Sequence, residues 1–455
     1  MPPMRITLFT SIVAVLLIAP QSLPAASAEY RAGVATTVIT PTEPIWIGGY
    51  GHRKEPADGK IHDLHAKVLV LEGPGGYQVA LLTLDTENVP RAFADGVAAD
   101  LADHFGFKRE QVVVSCSHTH CGPALASADA KIIYPMNAEQ YAATERYTHS
   151  LRRQLLETTA QALADLTPAE LSVGVGQCGF GVNRRNNKEV EAGKEGFVPV
   201  GPVDHDVPVL RVMSEGRMKA VLFGYACHCT TLDFQKWCGD WAGFAKFAIE
   251  QKHPGTTALF MTGCGADTNP LPRRKLELAE KYGRQLAESV EKVLAEPMQP
   301  VRGRLNARFR HVDLAFESLP SRDALEQKAE QDNPYQQRWA KYLLARLADG
   351  PLSPTYAYPV QAIRLGNHVV MVIMGGEVVV DYSLRLKKEL GPGTIVFAYS
   401  NDVCAYMPSE RVLKEGGYEG RDAMVYYGHP SAWAPGLEDK IVNTVHELVR
   451  ELRKD

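Results

Sequence analysis

Short runs of apolar residues alternate along the chain with longer stretches of helical period, and together they predict most of the elements. Ala66 to Leu71 and Val79 to Leu84 read as strands paired through the turn at Gly73-Pro-Gly-Gly. Val207 to Val212 and Lys219 to Ala226 read as a hairpin across Ser214-Glu-Gly-Arg, and Val360 to Leu365 with Val369 to Met374 as another across Gly366-Asn-His. Leu171 to Val175, Thr257 to Met261, the region Arg302 to Ala315 and Ile395 to Tyr399 add strands. Val112 to Val114 is continuously apolar, as a strand buried on both faces would be. Helical periodicity covers Ala92 to Phe105, Ala138 to Leu166, Ala242 to Gln251, Lys275 to Ala295, Val378 to Leu390 and Glu438 to Arg453. It also marks a charge-rich insert from Arg322 to Ala348. Hairpins among the alternating strands and helices predict an α/β fold: a mixed β-sheet core covered by helices, in a single large domain of catalytic size over 29–455.

The strand ends carry the chemistry. Val112 to Val114 leads into Ser117-His118-Thr119-His120, and a strand period of two puts His118 and His120 on one side. The strand ending at Cys227 delivers His228, the one ending at Met374 delivers Glu377, and the one ending at Tyr399 leads to Tyr406. Loops beyond strand ends are where α/β sheets usually build a site, and two imidazoles with a carboxylate make an ordinary catalytic zinc set. Each residue also has a plainer reading. A histidine after a strand can be a hydrogen-bonded structural group, Glu377 can serve the helix dipole, and Tyr406 can be a core wall.

At the N-terminus, Arg5, the apolar run Ile6 to Ala19 and the small residues ending at Ala28 predict a secretory signal over residues 1–28, with cleavage after Ala28 and a secreted or periplasmic mature protein. The net charge of −4 and the lack of a Lys/Arg cluster argue against nucleic acid and favour a small-molecule partner. Eight cysteines, none in a CxxC pair, leave three readings: disulfides, small buried thiols, or metal ligands.

Ser117-His-Thr-His-Cys-Gly-Pro123 resembles the HTH-x-GP motif of the neutral ceramidase family, zinc amidases that hydrolyse the N-acyl bond of ceramide. Ala35 to Pro41, Gly48-Gly-Tyr, Ile61-His-Asp, Gly181-Val-Asn-Arg, Ala226-Cys-His, Gly239-Asp-Trp-Ala-Gly-Phe-Ala, Gly375-Gly-Glu, Tyr399-Ser-Asn and Gly417-Tyr-Glu-Gly follow in the family's order. The resemblance implies zinc (Zn2+) bound by His118, His228, Glu377 and Tyr406, with His120 beside the metal facing the substrate and Arg184 contacting the substrate. It also implies a ceramide-like lipid substrate, transient contact with a membrane surface and no obligate protein partner. Where the family carries a Gly-Asp-x-Ser-Pro-Asn motif, this chain reads Gly265-Ala-Asp-Thr-Asn-Pro, and Thr268 is taken as the hydroxyl nearest that serine. Asp267 reads equally as a cap for the next element. No C-terminal immunoglobulin-like domain of the kind found in full-length neutral ceramidases is expected. The alternatives are a zinc hydrolase of another N-acyl or ester substrate and a non-catalytic exported binding protein.

Overall fold

A computed structural model describes residues 1–3 and 29–454; the predicted signal segment falls outside them over residues 4–28. The core is two stacked sheets. The larger runs in the order Thr257–Thr262, Arg217–Tyr225, Asp206–Ser214, Thr167–Gln177, Tyr30–Val38, His65–Glu72, Gln78–Leu84, Val112–Cys116, and the short strand Gln299–Pro300 joins it on Thr167–Gln177. Its two outermost pairings are parallel and those between are antiparallel, so the sheet is mixed as predicted. The smaller sheet orders Leu305–Ala315, Thr355–Leu365, Val369–Met374 and Thr394–Phe397.

Leu69, Leu71, Leu81, Val113, Leu210 and Leu259 of the large sheet form one apolar layer with Ile363, Met371, Ile373 and Phe397 of the small one. Helices cover the outer faces. Arg91–Phe105 and Ala138–Ala164 bury Phe93, Val97, Leu151 and Leu155 against half of the large sheet. Asp240–Lys252 and Leu276–Ala295 bury Trp241, Ile249, Leu286 and Val290 against the other half. Leu437–Lys454 lays Ile441, Val445 and Leu448 beneath the small sheet. Apolar side chains alternating along each strand thus serve two interfaces at once, inward to the second sheet and outward to helices.

Most predicted elements lie within a few residues of those observed. Glu215 (φ 52) and Gly216 (φ 76) both have positive φ, the type I′ turn that a two-residue hairpin loop favours. Three features differ. Tyr30–Val38 is a central strand whose mixed composition hides its period. The charge-rich insert is two helices, Arg322–Ala329 and Pro334–Asp349, because Asn333 caps the second through Tyr335 N and Gln336 N and Pro334 starts it. The helix expected from Val378 begins at Val380, since Glu377–Val378 pairs in parallel with Tyr406–Met407.

Candidate metal centre

Four chain segments meet where the outer strands of the large sheet approach each other. The Thr262 hydroxyl donates to the Cys116 carbonyl at 2.9 Å, and the chain beyond Thr394–Phe397 bonds both edges, through Ala398 N to Thr262 O and Cys116 N to Tyr399 O. Strand pairing of Val112–Cys116 stops there. His118 adopts φ 55, a left-handed conformation rare outside glycine, and this turns the following residues back. His118 and His120 therefore converge, with Nε2 atoms 3.1 Å apart, but through a turn rather than through the strand alternation expected from the sequence.

Main-chain contacts hold the other segments. His228 N donates to Thr268 O at 3.0 Å, and a side chain on Gly265 would meet Cys227 N at 2.5 Å, so this crossing needs glycine. Gly376 has φ 69 with Ala405 O only 2.7 Å from where a Cβ would sit, and the residue after it is Glu377. Glu377 and Tyr406 are direct partners in the two-residue ladder.

The side chains point at one spot. Glu377 Oε2 lies 2.9 Å from His228 Nε2 and 3.3 Å from His118 Nε2. Tyr406 Oη is 3.4 Å from His228 Nε2. His118 Nδ1 is 2.6 Å from Glu87 O and His228 Nδ1 is 2.7 Å from Gly265 O, so each Nδ1 carries the proton and donates. That tautomer turns both Nε2 atoms toward Glu377, as in metal-binding histidines whose other ring nitrogen donates to a main-chain carbonyl. Burial alone would raise the Glu377 carboxyl, but His118 and His228 hold it well below the carboxylate range. Burial would likewise lower His118, yet Glu377 holds it well above the usual value, so its Nε2 carries a proton that a bound cation would displace to reach the lone pair. Burial, the nearby His118 and His228 push His120 down, and burial with Arg184 takes His228 to about 4. Two Nε2 lone pairs, an ionised carboxylate and a phenol in a water-poor site fit a divalent cation with an open position. Among the described residues, His118, His120 and His228 are the one group of three His, Cys, Asp or Glu side chains with all ligand atoms within 4.8 Å of one another. The eight cysteines are all buried with free thiols, and none joins that group.

Arg184 borders the centre. Its Nη2 donates to Tyr406 Oη at 3.0 Å, Nη1 lies 3.4 Å from His228 Nε2 and from Asn269 Oδ1, and Nε donates to Glu419 Oε1 at 2.7 Å. Thr268 reaches the site through its carbonyl; its buried hydroxyl has no hydrogen-bond partner among the described residues. Asp267 accepts from Val380 N at 2.9 Å and so caps the helix Val380–Leu390, which is close in space and distant in sequence. Five further residues at the site had no predicted role. Glu87 orients His118 through its carbonyl, Tyr399 Oη is 3.5 Å from Glu377 Oε2, and Tyr427 Oη donates to Glu377 Oε1. Glu419 holds Arg184, and Asn269 Oδ1 accepts from both Arg184 and the Thr230 hydroxyl. Of these, Glu419 lies in Gly417-Tyr-Glu-Gly and Tyr399 in Tyr399-Ser-Asn, motifs already visible in the sequence. Aligning Asp-x-Ser-Pro on Asp267 and Pro270 puts Asn269, rather than Thr268, at the serine. A cavity of about 530 Å³ opens beside Arg184, lined by Arg185, Asn187, Glu189, Asn269 and Tyr418 among others.

Residues 30–270 match the family model described as neutral/alkaline non-lysosomal ceramidase, N-terminal. Two solved structures superpose with a TM-score of 0.73 over 94% of this chain. One, a ceramidase complexed with C2, is 17% identical, with 76% of its chain covered. The other, the neutral ceramidase of Pseudomonas aeruginosa, is 18% identical, with 75% covered. No curated protein sequence matches. The family match spans more than half of the chain and contains the His118–His120 turn, Arg184 and His228, and on that ground the chain belongs to the neutral/alkaline non-lysosomal ceramidase family.

Proposed function

We propose that this protein is an exported zinc-dependent amidohydrolase that cleaves the N-acyl bond of ceramide or a related N-acyl lipid, giving a fatty acid and a sphingoid base. The observation that carries this reading is the convergence of His118 Nε2, His228 Nε2, Glu377 Oε2 and Tyr406 Oη, with both Nδ1 protons committed to main-chain carbonyls. These four residues would hold the ion. Zinc, when bound, polarises an acyl carbonyl and lowers the pKa of water toward about 7.

His120 stands beside that position with its ring against the edge of Tyr50, centroids 4.7 Å apart. Burial keeps it neutral, so its Nε2 can take a proton during attack and return it to the departing amine, which must leave protonated. Arg184, fixed by Glu419, offers its donor fork to the oxygen atoms of a head group. In this reading the buried Thr268 hydroxyl, which has no partner among the described residues, orients substrate, and Asn269 steadies Arg184.

The polar cavity favours a substrate whose amine half carries hydroxyl or similar groups, which suits a sphingoid base and equally another N-acyl compound with a polar amine. Export rests on the predicted signal segment, and N-terminal sequencing of secreted protein should begin at Glu29. Metal analysis coupled to a panel of N-acyl substrates is the direct test. About one zinc per chain with fatty-acid release from ceramide is expected, and zinc without turnover of any N-acyl lipid would refute the substrate class.

A further inference from the structure

Loop 188–200 hangs from the rim of the cavity beside Arg184. Its base is pinned: Asn187 Oδ1 accepts from Val200 N at 3.0 Å, and Asn187 Nδ2 donates to Val200 O at 2.6 Å. Asn183 Nδ2 donates to Pro202 O at 2.9 Å. Glu189 is tied to Arg273 and, at 3.0 Å, to Arg274. Asn187 and Glu189 themselves line the cavity. From this fixed base the loop presents Val190, Val198 and Val200 to solvent, with 72%, 74% and 56% of their surfaces exposed. Across the cavity, Tyr418 is 46% exposed and lies over Arg184, whose guanidinium carbon is 5.7 Å from the ring centroid.

Three outward valines on one short loop are unusual where each alone would be unremarkable. They rise from a loop whose base, at Asn187 and Glu189, lines a cavity walled mostly by charged and amide side chains together with Leu271 and Tyr418. A protein seated on this rim would close the cavity beside Arg184. A lipid surface seated on it would instead supply molecules through it, apolar chains toward the valines and head group toward Arg184. The loop's charges, Lys188 and Lys194 against Glu189, Glu191 and Glu195, are nearly balanced and carry no basic excess for an anionic surface. An exposed tyrosine opposite suits the boundary between head groups and acyl chains.

We infer that loop 188–200 is a lipid-contacting lip: Val190, Val198 and Val200 enter a zwitterionic lipid–water interface, and the polar cavity behind them receives the head group of a molecule drawn from it. The identity of the molecule drawn in rests on the hydrolase reading above; the contact itself does not.

The test is flotation of the full mature protein with phosphatidylcholine vesicles, beside turnover of a water-soluble short-chain N-acyl amide and of a ceramide held in the same vesicles. The triple variant V190S/V198S/V200S should lose vesicle binding and vesicle-held turnover by about tenfold or more, because three aliphatic side chains no longer enter the interface. Its rate on the soluble amide should stay at that of the native protein. Equal flotation of the two proteins, or no flotation of either, overturns the inference. So does valine-dependent self-association without vesicle binding, which would make the loop a contact between copies. If the native protein floats, the variant does not, and neither hydrolyses any N-acyl amide, the lip stands and the hydrolase reading falls.

Discussion

Glu377 and Tyr406 sit opposite each other in a two-residue parallel ladder, so a single backbone pairing aligns a carboxylate and a phenol toward the same point. The Glu377–Val378 and Tyr406–Met407 segments belong to neither main sheet, and they are joined by Glu377 N to Ala405 O at 2.8 Å. Glu377→Gln keeps the shape but removes the charge that His118 and His228 face. Zinc measured after dialysis should fall from about one per chain to near zero, with loss of turnover. Tyr406→Phe should weaken retention less, since the histidines and Glu377 remain. Unchanged zinc content in both variants would rule out this ligand set.

Glu419→Gln tests how Arg184 is held. The carboxylate accepts from Arg184 at 2.7 Å and from Arg185 at 2.7 Å while only slightly exposed. Halving its acceptor strength should cost about 2 kcal/mol in urea unfolding, the range for a hydrogen bond to a charged group. Zinc content should be unaffected while KM for the N-acyl substrate rises, because Arg184 loses its anchor. A KM equal to that of the native protein would count against a substrate role for Arg184.

The Thr268 hydroxyl is buried and has no partner among the described residues, whereas the Thr268 carbonyl holds His228. Thr268→Val removes only the hydroxyl and keeps the shape and the main-chain bond. It should stabilise the free protein by about 1 kcal/mol, the low end of what a buried unsatisfied polar group costs. Turnover should fall about tenfold, the loss of one substrate hydrogen bond. A full rate would show that Thr268 acts through its backbone alone, and Asn269→Ala would then be the informative comparison.

His429 gives a pH signature outside the His118, His120 and His228 cluster. Burial lowers its pKa to about 4, with Nε2–H donating to Cys404 O at 2.8 Å. Its folded value is below its unfolded value of about 6.5, so protonation favours the unfolded chain. The stability is complete above pH about 6.5 and is lost as pH falls toward 4, by about 3 kcal/mol across that window. His429→Gln retains a donor for Cys404 but cannot titrate. Urea midpoints from pH 7.5 to 4.5 should fall less steeply for the variant, and parallel curves would refute the assignment.

Much of this was legible before any coordinates. Apolar runs of the right length marked the strands and helices, since burial against one or two neighbours leaves a period of two, a continuous run or a helical stripe. The strand-end positions of His118, His228, Glu377 and Tyr406 were readable for the same reason, and short motifs tied them to a family. Tyr30–Val38 was not marked as a strand, because its partners on either side supply a burial that its own composition does not advertise.

What the sequence determined by itself was therefore the local period, the candidate donors and their order along the chain. Tertiary structure alone decided how they meet. The left-handed turn at His118, the Glu377–Tyr406 ladder, the carbonyls of Glu87 and Gly265 that set the imidazole tautomers, and Glu419 behind Arg184 all depend on main-chain or side-chain contacts between segments far apart in sequence. Periodicity records which face of an element is buried; it does not record which distant carbonyl or carboxylate arrives at that face.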